Sequence, residues 1–191
     1  NEPVVELVNN REREYIFADL PDIGYSTDID TVMASSYQVK KQLQQIVKIE
    51  QPITNTLLYK RILRIWNLTR VTTRLQVFID NLLEDAYKDP LSGDTIIYWE
   101  DEEKAKDCDF YRINSKRDIL DIPILEVMSA ARYAIEQQIS MPTEDLKRLT
   151  SQLLGFSRKG NNLDMVTEQT IQLLVDQGIF SHANGMVSMN N

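Results

Sequence analysis

Two stretches of this chain, residues 35–99 and 123–189, repeat one order of elements about 88 residues apart, and that repetition is its strongest constraint on the fold. In the first stretch, Ser35-Ser36 offers an N-cap for a helix to about Ile49, with Val39, Leu43, Ile46 and Val47 on one face. Pro52 ends that helix, because proline has no N–H to give to the intrahelical ladder. Thr54 or Asn55 caps a second helix, whose Leu58, Ile62, Ile65 and Trp66 recur at helical spacing and face inward. Residues 67–70 form a turn, with Leu68 plugging the gap between helices, and a third helix runs from about Val71 to Ala86. The run Asp89-Pro90-Leu91-Ser92-Gly93-Asp94 is turn chemistry, and residues 95–99 favour β structure.

The second stretch follows the same plan. A helix over residues 123–139 places Ile124, Val127, Met128, Ala131 and Ile135 inward, with Pro123 suited to its first turn. Thr143, followed by Glu144 and Asp145, reads as the N-cap of the next helix, with Leu146, Leu149 and Leu153 on its core stripe. A third helix spans residues 161–177 and stops at Gly178. Ile179-Phe180-Ser181, Ala183-Asn184-Gly185 and Met186-Val187-Ser188 then read as strand, turn, strand. Three helices followed by a hairpin is the winged helix-turn-helix plan. The expected fold is therefore mainly α with small β-hairpins, arranged as tandem winged helix-turn-helix modules. Residues 1–34 are read as a linker or docking segment, 35–113 as the first module with an acidic loop, and 114–191 as the second.

Little in the sequence carries bond-making chemistry. The single His182 and single Cys108 supply too few ligands for zinc, and no phosphate-cradling Gly-rich motif with Lys-Ser/Thr occurs. The run Glu100-Asp101-Glu102-Glu103 with Asp107 and Asp109 lacks the spacing of a calcium loop and reads as a solvated surface. No catalytic residue, metal or cofactor is expected. The longest apolar runs fall far short of a membrane span, and residues 1–6 lack the basic-then-apolar pattern of a signal peptide. One cysteine fits a reducing cytoplasm. The absence of an initiator Met makes a fragment of a longer protein the expectation, with removal by processing as the alternative.

Charge gives the sharper functional signal. The net charge of −8 disfavours phosphate binding as a whole, yet it is unevenly spread. Residues 1–39 hold eight acids and two bases, residues 40–78 hold eight bases and one acid, and residues 84–109 hold ten acids and three bases. The basic island runs from within the first helix of the first module, at Lys40, Lys41 and Lys48, through the second and into the third. If that module binds nucleic acid, the third helix offers Thr73, Arg74, Gln76, Val77 and Asp80, preceded by Arg70 and supported by Lys60, Arg61 and Arg64. The corresponding face of the second module offers Asn161, Asn162, Met165, Glu168 and Gln172, with positive charge only at Arg158 and Lys159. The expected interface is thus on the first module, with DNA or RNA as partner. The competing reading is a pair of degenerate winged helices that dock on protein, within the same chain or on another. A transcription repressor fits less well, because no dimerisation helix is evident.

Several short turn-centred patterns resemble one known family. They are Ile49-Glu50-Gln51-Pro52-Ile53, Trp66-Asn67-Leu68-Thr69-Arg70 with Arg74-Leu75, Asp118-Ile119 with Ile122-Pro123 and Glu126, and Leu154-Gly155-Phe156-Ser157-Arg158-Lys159-Gly160. Together they span roughly residues 40–187 and resemble the domain of unknown function 3320 family. That family lies at the C-terminus of large bacterial proteins similar to superfamily 1 helicases, many with a nuclease-like domain upstream. The resemblance implies a non-catalytic accessory domain of an ATP-dependent helicase-like protein, working beside helicase and nuclease-like domains. Gln51, Asn67 and Thr72 stand where the family pattern has glycines; Asn67 tolerates a left-handed backbone but Thr72 does so poorly, so the first turn is expected to be tighter or differently shaped.

Overall fold

A computed structural model describes residues 9–190. About half of them are helical, and the rest of the regular structure is small sheets. In chain order the elements are β1 (Glu12–Glu14), α1 (Ile29–Ala34), α2 (Ser36–Glu50), β2 (Ile53–Thr54), α3 (Asn55–Ile65), α4 (Thr73–Leu82), β3 (Tyr87–Lys88) and β4 (Ile97–Trp99). There follow α5 (Glu102–Lys106), β5 (Tyr111–Ile113), a 3-10 turn (Ile119–Asp121), α6 (Ile124–Glu136), β6 (Met141–Pro142), α7 (Thr143–Leu153), α8 (Asn161–Asp176), β7 (Phe180–Ala183) and β8 (Met186–Met189). The chain divides into two compact units. Among the described residues, one comprises 16–108 with 121–123; the other comprises 9–15, 109–120 and 124–190.

The unit built on residues 16–108 packs α2, α3 and α4 around one core. Val39, Leu43, Ile46, Leu58, Ile62, Leu75 and Ile79 are wholly buried there. The spacing of these residues, three or four apart on each helix, is what turns three apolar stripes toward a common centre. Thr54 caps α3 by accepting from the Leu57 N–H, and Thr72 caps α4 by accepting from the Leu75 N–H. The strand after α2 joins the last strand in an antiparallel sheet of order β2-β4-β3. Trp99, buried on β4, donates its indole N–H to Asp89 at 2.9 Å, which ties the turn before β4 to that strand.

The other unit carries the same sequence of helix, strand, helix, helix, strand, strand, and its sheet has the matching order β6-β8-β7. Ala130, Ala131 and Ala134 on α6 leave room for close approach of α7 and α8, with Leu146, Leu174, Phe180 and Val187 filling the centre. Asn184 and Gly185 both have positive φ, as a two-residue hairpin turn between right-twisted strands requires. A parallel strand pair, β1 with β5, completes this unit.

Four expectations change against the structure. The linker or docking segment expected over residues 1–34 is divided between the units: residues 9–15 belong to the unit of α6–α8, residues 16–34 contain α1 and dock on the other, and residues 1–8 lie outside the described residues. The boundary falls at 108/109 rather than 113/114, because β5 pairs with β1 and Arg112 on it bonds to Glu126 of α6. The acidic loop contains α5, begun by Asp101 accepting from the Lys104 N–H. Thr143 is the first residue of α7 rather than its cap; its hydroxyl donates to the Gly185 carbonyl at 3.1 Å.

Candidate nucleic-acid interface

The turn between α3 and α4 sets the geometry of the expected interface. Past the last turn of α3, Asn67 takes a left-handed backbone (φ 48°), its N–H bonding to Arg64 O and that of Leu68 to Leu63 O. This double return is the Schellman stop, with asparagine filling the place glycine usually takes. The equivalent stop in the other unit uses Gly155 (φ 89°), with Gly155 N–H to Gln152 O and Phe156 N–H to Ser151 O. The turn at Asn67 thus has the same form as its glycine counterpart. Thr72 has an ordinary extended backbone, so no glycine is needed there.

Most cations of the basic island are answered by carboxylates. Arg61 places its guanidinium along Glu50, with Nε and Nη2 each 2.8 Å from an oxygen, and Glu50 is completely buried. Lys60 reaches the buried Asp121 at 2.5 Å. Arg64 donates to Asp19 at 3.4 Å and to the Leu20 carbonyl at 2.9 Å. Arg74 pairs with Asp30 at 2.8 Å. Of the expected residues on this unit, Arg70 and Thr73 are exposed, Gln76 is half-buried, and Arg70 has no ion pair among the described residues. Asp80, expected to face outward, instead accepts the Tyr59 hydroxyl at 2.7 Å. Burial, then this carboxylate, raises the Tyr59 phenol well above its ordinary range.

Residues 16–34, which precede the island, supply several of these partners. Phe17 lies under both Arg61 and Arg64, its ring centre 4.5 and 5.0 Å from the two guanidinium carbons. The Ala18 N–H donates to Glu50 and the Ile23 N–H to the Ile65 carbonyl. Asn67 Nδ2 donates to Tyr25 O, and the Thr27 hydroxyl donates to Trp66 O. A legible signal did exist: residues 16–34 hold four aspartates and no Lys or Arg, immediately before the basic island.

In the other unit, the turn before α8 leaves Arg158 and Lys159 exposed and without an ion pair among the described residues. They border a groove of about 310 Å³ between α7 and α8, lined also by Phe156 and Leu163. At its side Lys147, almost wholly buried, gathers Asp164 (2.6 Å), Glu168 (3.1 Å) and Glu144 (3.3 Å). Burial opposes its charge, but the three carboxylates outweigh it and raise the ammonium above its ordinary range. Glu168 is therefore answered within the unit rather than standing alone on an outer face. The expected face otherwise stands open: Asn161, Asn162, Met165 and Gln172 are exposed. His182 is exposed and bonds Thr143. No group of three or more His, Cys, Asp or Glu residues suited to a metal occurs among the described residues. Among them, too, no helix is long and apolar enough to cross a membrane.

Against known proteins, residues 34–77 match the family described as "Protein of unknown function (DUF3320)". That segment holds α2, α3, the Asn67 turn and the start of α4. No curated protein and no solved structure matches the chain.

Proposed function

We propose that this chain is a non-catalytic accessory module of two winged-helix units that docks on protein, with the motor domains of a helicase-like chain as its partner. The element order in each unit, with the strand after the first helix pairing with the last strand, supports the winged-helix reading. The neutralised island carries the choice of partner: Lys60, Arg61, Arg64 and Arg74 each face a carboxylate. A cation already paired releases little from a phosphate backbone's counterion atmosphere, so the island adds less to DNA affinity than its charge suggests. The outer faces of the third helices fit protein better, since Val77 on α4 and Met165 on α8 stand about half exposed. The match of residues 34–77 to the DUF3320 model supports the family resemblance from which the helicase-like setting is inferred.

A second reading is favoured by one observation. Arg70, Arg158 and Lys159 all sit in the turn before a third helix and lack carboxylate partners among the described residues. On that reading DNA or RNA is gripped by these turns.

A salt titration separates the two. With labelled duplex DNA and RNA, docking predicts no measurable affinity at about 50 mM salt, together with binding in trans to purified motor domains that Val77→Glu abolishes. Three phosphate contacts, one for each of these cations, would instead give log K against log salt a slope of about −2.7, and that result would overturn docking as the main function.

A further inference from the structure

The acidic stretch of residues 16–34 lies along the basic island contact by contact. Phe17 sits beneath Arg61 and Arg64, Asp19 and the Leu20 carbonyl take Arg64, Tyr25 and Thr27 follow the Asn67 turn, and Asp30 takes Arg74 at the start of α4. These are the last turn of one helix, the turn, and the first turn of the next, which a helix-turn-helix lays against a DNA backbone. Ala18 and Val32 are buried and fasten the segment to the core. Its carboxylates are another matter: Asp19 and Asp30 are 87% and 74% exposed, and their pairs are surface pairs that exchange readily.

We infer that residues 16–30 are an electrostatic mask over a latent duplex-DNA-binding face formed by Arg64, Arg70 and Arg74. The segment stays anchored through its apolar residues, while the Asp19 and Asp30 carboxylates offset the charge of the two outer arginines. Withdrawing those two charges frees two cations beside Arg70, which has no ion pair of its own among the described residues. Arg61 remains committed to the buried Glu50 and takes no part. The inference does not rest on docking, which concerns the unaltered chain.

The test compares the unaltered chain with the Asp19→Asn/Asp30→Asn variant, using a labelled duplex of about 20 base pairs in fluorescence anisotropy. Each phosphate contact contributes about −0.9 to the salt slope, so the variant, touching phosphate through Arg64, Arg70 and Arg74, binds with a slope of about −2.7. Its affinity therefore falls roughly fortyfold between about 50 and 200 mM salt, where the unaltered chain shows no measurable binding. Adding Arg64→Ala/Arg74→Ala removes the gain. Glu84→Gln/Asp94→Asn, which removes equal charge at exposed positions elsewhere, produces none. Circular dichroism checks that each variant keeps its helices. The inference fails if the folded Asp19→Asn/Asp30→Asn variant binds no better than the unaltered chain, or if the gain survives loss of Arg64 and Arg74.

Discussion

Arg61 on α3 and Glu50 at the end of α2 form a two-pronged ion pair, Nε and Nη2 each 2.8 Å from a carboxylate oxygen, with Glu50 sealed from solvent. A third donor, the Ala18 N–H at 3.1 Å, brings the N-terminal segment onto the same carboxylate. One buried charge thus joins three parts of the unit, and Arg61 serves the fold before it can serve a ligand.

Breaking that pair from one side leaves a charge stranded in the interior. Arg61→Ala is expected to cost the unit about 3–5 kcal/mol, the usual penalty for an uncompensated buried charge. Arg61→Met with Glu50→Gln should recover much of the loss. Urea unfolding followed by tryptophan fluorescence reads both, since Trp66 and Trp99 are buried in this unit.

Glu126 on α6 is the corresponding charge of the other unit, wholly buried and bonded by Arg112 at 2.5 Å and Arg117 at 2.7 Å. Tyr15 lies against both guanidiniums. Burial alone would raise this carboxyl, but the two arginines hold it below the usual range. A depressed folded value means that the contribution is complete above the ordinary value of 4.5 and declines as pH falls below it. Glu126→Gln should therefore lower stability at neutral pH, by about 3 kcal/mol or more, and flatten its fall on acidification. Denaturation midpoints from about pH 7 down to 3 check the sign.

Lys147 gives the opposite pH dependence. Its raised ammonium contributes fully below the ordinary value of 10.5, and that contribution is lost as pH rises through the higher folded value. Lys147→Met leaves Glu144, Asp164 and Glu168 facing one another. The expected loss is modest, about 1 kcal/mol, because all three carboxylates are mostly exposed. Adding salt should shrink it, as measured by thermal melts at low and high ionic strength.

The helix stops should respond to substitution by backbone angle alone. Gly155→Ala is expected to cost about 1–2 kcal/mol, since a Cβ disfavours its positive φ although the space around it is open. Gly160, with an extended backbone and equally open surroundings, should accept alanine with a change within about 1 kcal/mol. Asn67→Gly should hold the turn while losing only the side-chain bond to Tyr25 O. Equilibrium unfolding of the three variants distinguishes the positions.

What the sequence determined by itself is local. Apolar spacing set the inward faces of α2, α3 and α4: Leu58, Ile62, Ile65 and Trp66 are buried as their periodicity requires. Cap and turn chemistry placed Thr54 at the start of α3 and stopped α8 at Gly178, while the Asn184-Gly185 pair turned the β7–β8 hairpin. These signals act within a few residues, so one chain of letters contains them whole. What only the tertiary structure decided is where each charge is spent. Arg61, Arg64 and Arg74 look free in the sequence because their partners, Glu50, Asp19 and Asp30, stand 11, 45 and 44 positions away. The same separation hid the pairing of residues 12–14 with 111–113 and the burial of Glu126 between Arg112 and Arg117. An ion pair depends on distance through space, and no period or propensity carries that distance along the chain.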